Sequence, residues 1–146
     1  MTHPTPRGEW LHKPAMRHVK GKLHVVTEAG RYRAANGTEY ELWVGLETDG
    51  GSVPRPLWWW LPPFGDDAEC AYLLHDMLYR YAEAFPGDDH GHMSRGTADA
   101  LLREAAEAAG YPGRRAIIVR GGLWCGGWLS WRRYRNAAKV AKPAAV

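Results

Sequence analysis

The stretch Ala71-Tyr72-Leu73-Leu74-His75-Asp76-Met77-Leu78-Tyr79-Arg80 decides how the chain is read. Its apolar spacing predicts the middle of a helix running from about 66 to 84, capped near Asp66 or Asp67. With about 3.6 residues per turn, His75 and Tyr79 stand one above the other on one face, and Asp76 is turned about 100° away. Leu74, Leu78 and Tyr81, with Ala71 a turn earlier, form an apolar stripe overlapping the histidine face. A titratable ring beside a buried edge needs a partner, because burying a polar group unpaired is costly. Asp99, in a second helical pattern, can supply it. The expectation is a His75–Asp99 dyad between two antiparallel helices, with Asp76 left to hold a metal.

That second pattern opens at Ser94-Arg95-Gly96-Thr97, with Ser94 or Thr97 as N-cap. Ala98, Leu101, Leu102, Ala105 and Ala109 form its buried face, and Gly110-Tyr111-Pro112-Gly113 ends it. Asp99 falls in the first turn or two, where the helix dipole favours a carboxylate; an acidic residue there is also a common purely structural feature. A third helix or helix pair is predicted from Arg114 to about Asn136, with four glycines that require close backbone packing and a basic end at Arg132, Arg133 and Arg135.

Upstream, 22–47 has β character. Leu23, Val25 and Thr27 alternate with polar neighbours, Gly30 breaks the run, and Ala35-Asn36-Gly37-Thr38 signals a tight turn. Tyr40, Leu42, Val44 and Leu46 then alternate with Glu41, Trp43 and Gly45, so two or three antiparallel strands half-buried on one face are expected. Residues 1–15, with Pro4, Pro6 and Pro14, read as an extended arm without secondary structure. His3, His12, His18 and His24 share no metal-ligand spacing and are expected to be surface histidines.

Two apolar or glycine-bearing segments lie between sheet and helices. Thr48-Asp49-Gly50-Gly51-Ser52-Val53-Pro54 can turn backbone groups toward a cation or an oxyanion, or can simply connect strand to helix. It has neither Walker nor dinucleotide spacing. Trp58, Trp59 and Trp60 follow between prolines; three consecutive rings cannot all face one core, so at least one is a candidate for a greasy surface. The loop Asp88-Asp89-His90-Gly91-His92 is either a weak metal candidate or a solvated connection.

The 146 residues suit one domain with a real core, and the 45% apolar content argues against wholesale disorder. The formal charge of +3 comes mostly from the two ends, which favours an anionic partner such as phospholipid headgroups or nucleic acid, although no groove-reading motif is present. Cys70 and Cys125 lack the spacing of a disulfide framework or zinc knuckle, so a reduced compartment such as a bacterial cytoplasm is expected. No secretory signal and no transmembrane run is evident.

The order T-D-G-x-S-x-P, then A-x-x-x-H-D-x-x-Y, then S-R-x-x-A-D-x-x-L resembles a phage and prophage family, Domain of Unknown Function 1353, over roughly 39–128. That resemblance implies a phage or prophage origin, with the protein in host cytoplasm or virion, but no activity. His75-Asp76-x-x-Tyr79 followed by Ala98-Asp99 is also similar to the catalytic helix pair of phospholipase A2. This second resemblance implies His75 as general base, Asp99 fixing its tautomer, Tyr79 bonding Asp99, and Ca²⁺ held by Asp76 with loop carbonyls near Gly50 and Gly51. It departs from that family in having Tyr72 and Leu78 where cysteines flank the motif.

The expected fold is α+β: a small N-terminal antiparallel sheet, then a bundle of three or more helices containing a phospholipase A2-like pair. The expected layout is an arm over 1–15, one domain over 16–136 (β part 16–48, Gly/Pro/Trp loop 49–65, helical part 66–136) and a tail over 137–146. The expected function is a phage-encoded ester hydrolase acting on phospholipid or another ester. A non-catalytic virion or tail component, bound to other phage structural proteins, is the alternative.

Overall fold

A computed structural model describes residues 7–21, 23–48, 69–87, 91–110 and 131–133. The elements run β1 (Glu9–His12), β2 (Ala15–Lys20), β3 (Leu23–Glu28), β4 (Gly30–Arg33), β5 (Glu39–Leu42), β6 (Glu47–Thr48), α1 (Glu69–Arg80), a 3₁₀ turn (Ala82–Ala84) and α2 (Arg95–Ala108). The content is mixed α and β, with two three-stranded antiparallel sheets ordered β1-β4-β5 and β2-β3-β6.

The two sheets are one ribbon folded at a corner. β1 and β2 follow each other and pair with β4 and β3 in turn, so a single long hairpin crosses from one sheet to the other. It bends where Pro14 meets Gly30: a Cβ on Gly30 would lie 2.6 Å from Pro14 Cδ and 2.9 Å from Pro14 N. Only glycine allows that approach. The third strand bends too. β5 ends at Leu42, and a turn closed by Leu46 N–H donating to the Trp43 carbonyl leads to β6. Gly45 takes φ +87°, a left-handed conformation, and its N–H donates to the Val26 carbonyl.

This corner corrects the simple alternation expected for 40–46. Tyr40, Leu42 and Leu46 are buried as expected, but Trp43 is buried too and Val44 is 60% exposed. The turn that carries the strand from one sheet to the other breaks the period-2 pattern before it reaches Val44. The arm expected over 1–15 is also corrected: residues 9–12 form β1, and β2 begins at Ala15. Pro14 marks the bend between two strands rather than the end of an irregular segment. Trp10 ties β1 to the helices by donating its indole N–H to the Ala105 carbonyl at 3.0 Å. The turn over 35–38 forms as its sequence implies, with Asn36 Oδ1 accepting from the Thr38 N–H at 2.9 Å.

α1 is enclosed on nearly every side: from Cys70 to Tyr79 only Asp76 is not buried. It packs against α2 and against β5 and β6, so its apolar surface is much wider than the predicted stripe. The Met93 N–H donates to the Ala82 carbonyl, bringing the start of α2 beside the end of α1, so the pair turns back on itself. Ser94 caps α2, its hydroxyl accepting from the Thr97 N–H at 3.2 Å. Ala98, Leu101, Leu102 and Ala105 are buried as the period required. Glu104 fastens α2 to the first sheet: its Oε1 accepts from Tyr32 Oη at 2.6 Å and from the Ala35 N–H at 2.9 Å. Residues 131–133 are helical; the rest of the predicted third helix, and the Asp66 or Asp67 cap, lie outside the described residues. Among the described residues no helix is long and apolar enough to cross a membrane.

The corner yields a test. Gly30→Ala forces a methyl into the Pro14 backbone and is expected to cost about 1–3 kcal/mol, the usual range for overpacking. Urea denaturation of the two proteins measures it; an unchanged midpoint would show that the bend tolerates a side chain there.

Candidate active site

Helical spacing puts His75 and Tyr79 on the face of α1 that meets α2, and the Ser94 cap sets the register that brings Asp99 opposite them. His75 Nε2 lies 2.8 Å from Asp99 Oδ1, and Tyr79 Oη donates to the same oxygen at 2.6 Å. The imidazole and phenol rings lie 4.1 Å apart, and Trp131 packs edge-on against Tyr79 at 5.0 Å. Arg95, one turn before Asp99 on α2, places Nε 3.6 Å from the other carboxylate oxygen. The His75 and Asp99 side chains are only 7% and 12% exposed, so the pair sits in the protein interior.

The donor count fixes the tautomer. An ionised carboxylate only accepts hydrogen bonds, so Nε2 is the donor to Asp99, and in the neutral ring Nδ1 is the nitrogen with the lone pair. Among the described residues Nδ1 has no hydrogen-bond partner. Asp99 is thus a double acceptor with a guanidinium on its far side, and with a neutral imidazole the formal charges of Asp99 and Arg95 cancel. Burial, and then the bond to Asp99, push the Tyr79 hydroxyl well above its ordinary pKa, so it stays a neutral donor. Nearby, burial raises the Cys70 thiol to about 11, which leaves it protonated near neutrality and a poor nucleophile.

Asp76 faces away from the dyad, toward the second sheet, and accepts a hydrogen bond on Oδ2 from the Thr48 hydroxyl. Thr48 is itself buried, and Arg80, one turn beyond Asp76, donates Nη1 to the Glu47 carbonyl at 3.1 Å. The end of β6 is thereby held against the Asp76 side of α1. Among the described residues no three His, Cys, Asp or Glu side chains converge on a metal position. Gly50 and Gly51, the remaining predicted metal residues, and Trp58, Trp59 and Trp60, the predicted greasy surface, lie outside the described residues; so do Asp88, Asp89 and His90. A depression of about 400 Å³ lies on α2 between Ser94, Thr97 and Glu104 and the turn at Ala34 to Asn36, on the face turned away from Asp99.

The structure therefore brings His75, Asp99 and Tyr79 together, and adds three residues that sequence reasoning left unused. Arg95 carried a signal, its i,i+4 spacing to Asp99. Thr48 and Trp131 carried none, because their contacts with α1 cross elements far apart in the chain.

The Tyr79 shift makes stability pH-dependent on the alkaline side. Its folded pKa lies above the unfolded value of about 10, so its contribution is complete below that pH and is lost as pH rises beyond it. Tyr32, raised by burial and by Glu104, behaves alike. Tyr79→Phe is expected to cost about 1–3 kcal/mol at neutral pH, the range for a bond to a charged group, and to flatten the decline above pH 10. Denaturant melts across that range check it; an alkaline slope identical to the wild type would contradict the assignment.

No curated protein and no solved structure matches the chain. A family match covers residues 24–120, taking in the strands from β3 onward, both helices and every member of the His75 cluster except Trp131. The chain belongs to the family described as "Protein of unknown function (DUF1353)".

Proposed function

We propose that the protein is a phospholipase A2-like ester hydrolase of phage or prophage origin, acting in the host cytoplasm or as part of a virion. The observation that carries this reading is the geometry of the imidazole: Nε2 lies 2.8 Å from a buried carboxylate oxygen, and Nδ1 has no hydrogen-bond partner among the described residues. In the proposed reaction Nδ1 removes a proton from water as the water oxygen attacks the ester carbonyl carbon. The imidazolium then returns that proton to the leaving alkoxide as the C–O bond breaks. Asp99 stabilises the imidazolium between the two steps, and Tyr79 keeps Asp99 in position. Proton uptake raises the formal charge of His75, Asp99 and Arg95 from zero to +1, which a developing oxyanion offsets.

A Ca²⁺ ion would be held by Asp76 with backbone carbonyls of Gly50 and Gly51, and when bound it would polarise the ester carbonyl. Supporting that placement, Asp49, Gly50 and Gly51 follow directly in the chain after Thr48, which is bonded to Asp76. Trp58, Trp59 and Trp60 are the proposed contacts for a lipid substrate.

One observation favours a second reading. His75 is only 5% exposed, and a buried His–Asp bond between helices can serve register alone, as in a non-catalytic virion or tail component that binds other phage structural proteins.

Hydrolysis of phospholipid and short-chain esters, with Ca²⁺ or with chelator, separates the two readings. Wild type is expected to turn over at least one substrate, with loss on chelation. His75→Gln and Asp99→Asn are each expected to lose about 10²–10⁴-fold, the usual worth of acid–base catalysis. Absence of activity under every condition, or full activity in folded His75→Gln, would remove the enzyme and leave the scaffold.

A further inference from the structure

The β2–β3 hairpin concentrates positive charge on a part of the fold that the catalytic reading does not use. From Trp10 to Thr27 the sequence has Lys13, Arg17, Lys20 and Lys22 and no acidic residue. Among the described residues β2 is an edge strand, paired with β3 alone, and Arg17, His18, Val19 and Lys20 are all exposed, so both faces of its distal half meet solvent. Val19 is 48% exposed between these cations. Charge on an edge strand discourages unwanted pairing, but either sign serves that purpose. Here every charge from Trp10 to Thr27 is positive.

Across the hairpin His18 faces His24 in register, their rings 5.2 Å apart. Paired imidazoles suit a transition metal in a neutral or acidic setting. Here His18 Nε2 already donates to the Gly21 carbonyl at 2.7 Å, and the neighbouring Arg17 and Lys20 repel a cation. The field selects an anion instead.

We propose that this hairpin docks the protein on an anionic phospholipid surface, Arg17 and Lys20 meeting the headgroups and Val19 entering the interface. An exposed aliphatic side chain among cations fits a bilayer boundary, and the described hairpin residues carry no Phe, Tyr or Trp for a base to stack on, only the His18 and His24 rings, His18 being already bonded to the Gly21 carbonyl. The preference for a bilayer over other polyanions rests on the ester-hydrolase reading; the preference for an anionic partner does not. The placement is favourable, since β3 also pairs with β6, whose Thr48 is bonded to Asp76.

The test is sedimentation of the full chain with phosphatidylcholine vesicles containing or lacking phosphatidylglycerol. Binding is expected only with the anionic lipid, and it should weaken with salt. Each surface cation contributes roughly fivefold to such binding, so R17Q/K20Q is expected to weaken it about 25-fold and R17E/K20E further. Melting curves establish that both variants fold, and the neutral pair keeps the test usable if the reversed pair does not. His75→Gln is expected to bind like wild type, so loss of hydrolysis with retained docking separates the two readings. No binding to anionic vesicles, binding insensitive to both charge variants, or binding of duplex DNA without vesicle binding would each overturn the proposal.

Discussion

One carboxylate oxygen joins the helical half of the molecule to its chemistry. Asp99 Oδ1 accepts from both His75 and Tyr79, so a single atom on α2 satisfies two polar side chains that α1 carries into the interior. Without it, the His75 ring nitrogen would be left buried and without its partner, and such an orphaned group typically costs about 1–3 kcal/mol. The surrounding apolar contacts hold the helices together without direction. The shared oxygen sets which turn of α1 faces which turn of α2.

The sheets provide the frame within which that register matters. A ribbon bent at Pro14 and Gly30 wraps two small sheets around the helices, with Trp10 and Glu104 fixing α2 to the first and Thr48 fixing α1 to the second. α1, clasped between α2 and both sheets, has little surface left for water. A histidine at its centre is therefore buried and oriented. Those properties suit a general base and also suit a structural pin, and the geometry within the helix pair is the same for both.

Much of this was legible in the sequence because it is local. The i,i+4 placement of His75 and Tyr79, the Ser94 cap, the buried face of α2 and the turn at Gly37 follow from helical period, cap chemistry and turn chemistry, and each forms as those rules require. What escaped was set by tertiary packing. Pro14 looks like the end of an irregular arm until Gly30 is seen against it. Val44 looks inward until the turn at Gly45 swings the strand from one sheet to the other. Thr48 looks like the lip of a loop until Asp76 accepts its hydroxyl. The His18–His24 pair has no metal-ligand spacing in sequence because its spacing exists only across a hairpin.

The protonation of His75 tests the central claim most directly. Long-range ¹H–¹⁵N NMR of the imidazole near neutral pH should show one ordered tautomer, with the proton on Nε2 and Nδ1 bare. In Asp99→Asn that fixed state should be lost. A ring protonated on Nδ1, or one averaging between tautomers in the native protein, would contradict the account, because the base would then lack both its orienting partner and its free lone pair.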